Sequence, residues 1–158
     1  MTKSIFRICT ILALSSVASL TVVSAQDRHS PEGVWDVSVT VTNCQTGALI
    51  RTVRSIQGFL HDGSFTESAN TFLRGASVGA WTRNGDSTSA AKFWFFRYKP
   101  DGTFASFAQA LDMITVSEDG TEFTAQGTIQ DFDTNNVSLS IGCFTHTAKR
   151  LSFPGDFN

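Results

Sequence analysis

The chain has 158 residues with 12 basic and 14 acidic side chains, a length with room for one ordinary domain. Lys3 and Arg7 fall in an apolar leader, and without them the balance is 10 against 14, or −4. That acidity argues against nucleic acid or an anionic membrane surface as the partner.

Residues 1–25 have a secretory layout: a basic start at Lys3 and Arg7, an apolar run from Ile8 to about Val23, and the small-residue pattern Val23, Ser24, Ala25 before the expected cut. A membrane anchor is the competing reading. The run is interrupted by Thr10, Ser15, Ser16 and Ser19, which favours a cleaved signal. Cys9 lies inside the run rather than at the cut, so a lipid anchor does not fit. Export then leaves a mature chain of 133 residues from Gln26 to Asn158, secreted or periplasmic, with a tail at 26–33, one domain at 34–151 and a tail at 152–158.

Strand patterning begins with "GVWDVSVTVTNC", Gly33 to Cys44, where Trp35, Val37, Val39 and Val41 share one face and Asp36, Ser38, Thr40 and Thr42 the other. The apolar set is expected to face inward. Further period-two stretches follow at 50–61, 64–69, 77–83, 88–98, 103–116, 121–133 and 137–150, after a first at 34–43. Turn signals separate them: "TNCQTG", "HDGS", "RNGD", "KPDG", "SEDG" and "DTNN". Residues 70–78, "NTFLRGASV", read as a long loop or one helical turn. The fifth stretch, "TSAAKFWFFRY", is apolar on both faces, with Trp94, Phe96 and Tyr98 on one and Phe93 and Phe95 on the other. Trp94 and Phe96 are taken as the inward pair, and Phe93 and Phe95 as an outer aromatic face.

Eight strands joined by tight turns make an all-β chain. Closure into an antiparallel up-and-down barrel removes both exposed edges, and an open sandwich is the alternative. Closure would make the first and last strands antiparallel neighbours, which brings Cys44 near Cys143. An exported chain with two remaining cysteines reads as one disulfide, here a staple across the barrel seam. Two free thiols, or a metal pair with His146 as the nearest nitrogen ligand, are the competing readings.

The glycine two residues before tryptophan in "EGVWDV", heading an eight-stranded meander, is similar to the opening of lipocalin and related calycin barrels. A second pair, Gly79 and Trp81 in "SVGAWTRNGD", together with "NCQTGALIRT" at 43–52 and "IGC" at 141–143, resembles small secreted bacterial lipocalin-like proteins. The resemblance implies an up-and-down barrel able to hold a small ligand, and no defined activity. The helix that normally follows the last lipocalin strand has no counterpart in "LSFPGDFN", which favours a calycin cousin.

Within such a barrel, Trp35, Val37, Val39, Trp81, Trp94 and Phe96 are the candidate lining for an apolar ligand, or the filling of a solid core. Asn43, Arg83 and Gln109 are the polar side chains expected at inward parity. The histidines carry weaker signals: His29 lies in the tail, His61 at a strand end, and His146 in the last strand. Asp131, Asp133 and Asn135 mimic the start of a calcium loop. Asn136 and Gly142 occupy the positions that need glycine and glutamate, so a solvated turn is expected. "NVS" at 136–138 fits a glycosylation acceptor only in a eukaryotic source. No cofactor or metal is implied. The leading function is binding of a small apolar molecule inside the barrel; the alternatives are a solid interaction module that meets a protein partner through Phe93 and Phe95, and a cofactor-independent barrel isomerase or cyclase.

Overall fold

The computed structural model describes residues 27–152, so the leader expected at 1–25 and most of the tail expected at 152–158 lie outside the described residues. Eight strands run in chain order: β1 (Gly33–Thr42), β2 (Leu49–Phe59), β3 (Ser64–Ala69), β4 (Ser77–Arg83), β5 (Thr88–Tyr98), β6 (Phe104–Val116), β7 (Glu122–Phe132) and β8 (Ser138–Arg150). Each pairs antiparallel with the next, and β1 also pairs with β8, so the sheet closes into a barrel. The sandwich alternative is excluded. Residues 70–76 form a loop without a helical turn, anchored to the end of β5 by hydrogen bonds from the Gly75 amide to the Phe96 carbonyl (2.9 Å) and from the Tyr98 amide to the Leu73 carbonyl (2.8 Å).

Alternation sets the interior. Trp35, Val37, Val39 and Val41 of β1 are all buried, and the same parity continues through Val53, Phe59, Phe65, Ala91, Ala108, Ala110, Ile114, Phe123, Ala125 and Phe144. One end is closed by aromatic packing. The Trp35 ring meets Phe123 edge-on at 4.8 Å and its indole N–H donates to the Pro31 carbonyl at 2.6 Å. Above it, 4.1 Å from the ring centroid, lies the Arg150 guanidinium, which also donates to the carbonyls of Gly120, Ser30 and Glu32. Phe59 and Trp81 extend this plug, stacked edge-on at 6.1 Å. Burying an indole is worth about 4–6 kcal/mol by area, so this end forms a strong base.

The seam carries the expected staple. Thr42 pairs with Cys143 across β1 and β8, and Cys44 bonds to Cys143 with the two Cα atoms 5.0 Å apart. A register shift at Val41/Thr42 accompanies the turn of the chain toward that bond.

One facing is reversed. Phe93 and Phe95 are buried inside the barrel, at 3% and 2% exposure, whereas Phe96 is 52% exposed and Trp94 is half-buried on the outside. Trp94 and Phe96 therefore do not line the interior, and Phe93 and Phe95 offer no outer face. Gln109 likewise lies on the outer parity of β6, between buried Ala108 and Ala110. The reason is that both faces of β5 are equally apolar, so hydrophobic alternation has nothing to choose between.

Candidate functional site

The end opposite the Trp35 plug is open. Around it lie the connections at 43–48, 70–76, 99–103 and 133–137, and inside it is a hollow of about 340 Å³ lined by Val41, Arg51, Arg97, Ile129, Asp131 and Ser140. Arg51 shares the inward parity of Val53 on β2, and Arg97 that of Phe93 and Phe95 on β5. Arg74 joins them from the 70–76 loop, because its backbone bridges to that of Arg97.

Two of these arginines are held by carboxylates. Arg97 donates to Asp131 at 2.6 Å, and the same carboxylate accepts from the hydroxyls of Ser106 (3.1 Å) and Ser140 (3.2 Å). Arg74 donates to Glu67 and to the Ser77 hydroxyl, while Ser77 in turn donates to Glu67 at 2.7 Å and the Gln57 amide reaches the other Glu67 oxygen at 3.5 Å. The Arg74 and Arg97 guanidiniums also lie over the Phe95 ring, at 3.6 and 5.1 Å from its centroid. Arg51 is different. It has no hydrogen bond or ion pair with any described residue, and its Nε is buried without a partner. Burial holds its pKa below the ordinary arginine value, and the nearby Arg97 and Arg74 charges add to that; Asp131 offsets part of it. Three cations thus face two carboxylates at the mouth.

A second polar cluster sits deeper. Asp112 of β6 and His146 of β8 are 0% and 3% exposed, with Asp112 Oδ2 3.1 Å from His146 Nδ1. The separation is that of an ion pair, but the alignment is not that of a hydrogen bond, so both Asp112 oxygens and Nδ1 are unpartnered. The pair meets across β7, where Gly127 stands opposite Asp112 and Ala125 opposite His146. A Cβ at Gly127 would lie 2.5 Å from the Phe144 ring and 2.1 Å from the Leu111 carbonyl oxygen. Glycine therefore lets Phe144 lie across β7, stacked on the His146 ring at 4.7 Å. The hydroxyls of Ser55 and Ser89 and the Gln57 carbonyl oxygen are further buried atoms without partners.

Of the side chains expected to line a ligand site, Trp35, Val37 and Val39 are interior, with Trp35 wholly enclosed in the base. Trp81 packs against the core and donates its indole N–H to the Leu60 carbonyl at 2.9 Å. Neither Trp35 nor Trp81 lines the mouth hollow. Arg83 pairs with Asp27 near the base, and Asn43 caps its own turn by accepting from the Gln45 and Thr46 amides. Asp133 does the same for Asn135 and Val137, the turn expected there, and no described group of three or more His, Cys, Asp or Glu side chains is arranged to hold a metal. Arg51, Glu67, Arg74, Arg97 and Asp112 were not singled out by patterning. The available signal was a charge at inward parity: Asp112 shares its face with Ala108, Ala110 and Ile114, and Glu67 with Phe65.

No protein-family model, no curated protein and no solved structure matches the chain. Likeness to lipocalins rests on the quoted motifs and on the closed eight-stranded barrel.

Proposed function

We propose that the barrel is an extracytoplasmic binding protein for a small, largely apolar molecule with an anionic head, admitted through the open mouth. The observation that carries this reading is the unpartnered Arg51 guanidinium at the hollow, beside two arginines whose charges are already engaged. A half-buried guanidinium with no hydrogen-bonded acid and two like charges beside it is unfavourable, and a carboxylate from outside relieves it with a charge-assisted, planar pairing that suits arginine. The apolar body has matching surroundings in Val41 and Ile129 inside the hollow and in Leu49, Ile50 and Phe72 around the rim, which are 66%, 59% and 76% exposed. The disulfide and the leader support a location outside the cytoplasm.

Titration calorimetry with decanoate and its uncharged analogue decanol tests the reading. Decanoate is expected to bind and decanol to bind at least tenfold more weakly. Arg51→Ala is expected to weaken decanoate about tenfold or more, since a hydrogen bond to a charged group contributes about 1.5–3 kcal/mol. Equal affinity of decanoate for the variant and the parent, or no binding at all, refutes the assignment.

A further inference from the structure

We propose that the mouth of the barrel docks on the surface of a zwitterionic phospholipid bilayer, its apolar rim entering the boundary between headgroups and acyl chains. The inference goes beyond the anion-binding reading and rests on the rim alone. A lipid surface is also where an amphiphilic acid is held.

The strands alternate in direction, so four connections surround the mouth, and three connections with the residues at 27–32 surround the base. Each mouth connection carries or adjoins an exposed large apolar side chain. Leu49 and Ile50 follow 43–48, Phe72 lies within 70–76, Phe104 follows 99–103, and Val137 and Leu139 flank the end of 133–137. At the base, Leu60 is the one such side chain in a connection, with Val34 and Leu151 at strand ends beside it; 84–87 and 117–121 carry none. Exposed apolar side chains scattered singly are ordinary on a protein surface, but a collar gathered at one end marks a contact with protein or membrane.

Charge is segregated along the same axis. The mouth connections carry Arg74, Lys99, Asp101 and Asp133, which cancel, and both aspartates are occupied in capping their own turns. The base connections carry Asp62, Asp86, Glu118 and Asp119 against no lysine or arginine. With the strand ends counted, the mouth stays neutral and the base acidic. Such a barrel meets an uncharged surface mouth-first, because the end that is costly to desolvate stays in water. The strength of interfacial binding then scales with the apolar area buried. A second copy fits worse: mouth to mouth, it would bring two sets of Arg51, Arg74 and Arg97 together around one closed hollow, each set outnumbering its carboxylates Glu67 and Asp131. A folded partner would need a matching ring broken at the same polar turns, whereas a fluid bilayer conforms to the ring as it stands.

Co-sedimentation of the disulfide-intact mature chain with phosphatidylcholine vesicles, at low and at high salt, tests the docking. The chain is expected to partition onto the vesicles equally at both, because apolar contact is not screened. Phe72→Asp and Leu139→Asp are each expected to lower the partition coefficient about tenfold or more, and Leu60→Asp at the base to leave it unchanged. Conservative reporters give a second readout. Phosphatidylcholine brominated on its acyl chains is expected to quench the added fluorescence of Phe72→Trp, and to quench Leu60→Trp no more than the parent. The docking is overturned if the parent chain does not sediment, if salt abolishes its sedimentation, if mouth and base variants bind alike, or if Phe72→Trp is quenched no more than the parent. A parent chain that ignores vesicles and forms dimers in native mass spectrometry would give the rim to a second copy and overturn it too. Decanoate titration in free solution is read separately, so the two readings fail independently.

Discussion

Arg51 and Arg74 share a charge and a barrel mouth, but they differ in what each leaves behind when removed. Arg74→Ala strands Glu67, whose side chain is 2% exposed, and breaking a buried pair from one side typically costs about 3–5 kcal/mol. It also takes a cation from the face of Phe95. Arg51→Ala strands nothing, because no described side chain pairs with it. Its pKa is held down by burial and by two like charges, so folding works against that charge. Urea denaturation of the two variants is therefore expected to separate them: an unfolding free energy lowered by about 3–5 kcal/mol for Arg74→Ala, and one unchanged or raised for Arg51→Ala. A loss at Arg51 as large as at Arg74 would mean that Arg51 serves the fold rather than a ligand.

Among the strands, closest approach is set by glycine. A Cβ at Gly79 would lie 2.2 Å from the Lys92 carbonyl oxygen and 2.6 Å from the Phe93 Cα, both backbone atoms that no rotamer change can move. Gly79→Ala must push β4 from β5, and overpacking of this kind costs about 1–3 kcal/mol. Thermal melts are expected to fall accordingly. The seam is buttressed twice, by pairing from Trp35–Arg150 to Thr42–Cys143 and by the bond between Cys44 and Cys143. Replacing both cysteines with serine is expected to cost about 4–5 kcal/mol for a closed loop of this length, with the β-rich circular dichroism retained below the melt. Strand order and ends were legible because period-two runs and Asx-Gly turns fall in register over most of the chain. β5 was not legible from hydrophobicity, since Phe93 and Phe95 match Trp94 and Phe96 in bulk. Lys92 was the available discriminator: a mid-strand ammonium shares parity with Trp94 and Phe96, and that face is the outer one. The mouth was hidden for a related reason. Arg51, Arg97 and Glu67 read as exposed charges until closure turns their parity inward.

At the scale of the whole molecule, the turns that make the barrel traceable in sequence also make it sensitive to acid. In "HDGS", "KPDG" and "SEDG" the aspartate accepts a hydrogen bond from the amide two residues on: Asp62 from Ser64 at 2.9 Å, Asp101 from Thr103 at 2.9 Å, and Asp119 from Thr121 at 3.0 Å. The Ser64 amide holds Asp62 below the usual aspartate value, and the Thr103 hydroxyl does so first for Asp101. Asp119 is lowered furthest, to about 2, chiefly by the Ser117 hydroxyl and then by the Thr121 amide and hydroxyl. A depressed carboxyl contributes its stability fully above the unfolded value of 3.8 and loses it as pH falls through the folded one. His61 has the opposite sign: Glu32 raises its pKa, so its contribution is present below 6.5 and fades as pH rises through the raised value. Urea midpoints are therefore expected to fall steadily from about pH 4 toward pH 2, with only a slight decline above neutrality. Asp119→Asn separates the turn from its charge, because an asparagine oxygen accepts the same amide without titrating. Its midpoint is expected to vary less between pH 4 and pH 2 than that of the parent, and an equally steep fall would place the acid sensitivity elsewhere than in this turn.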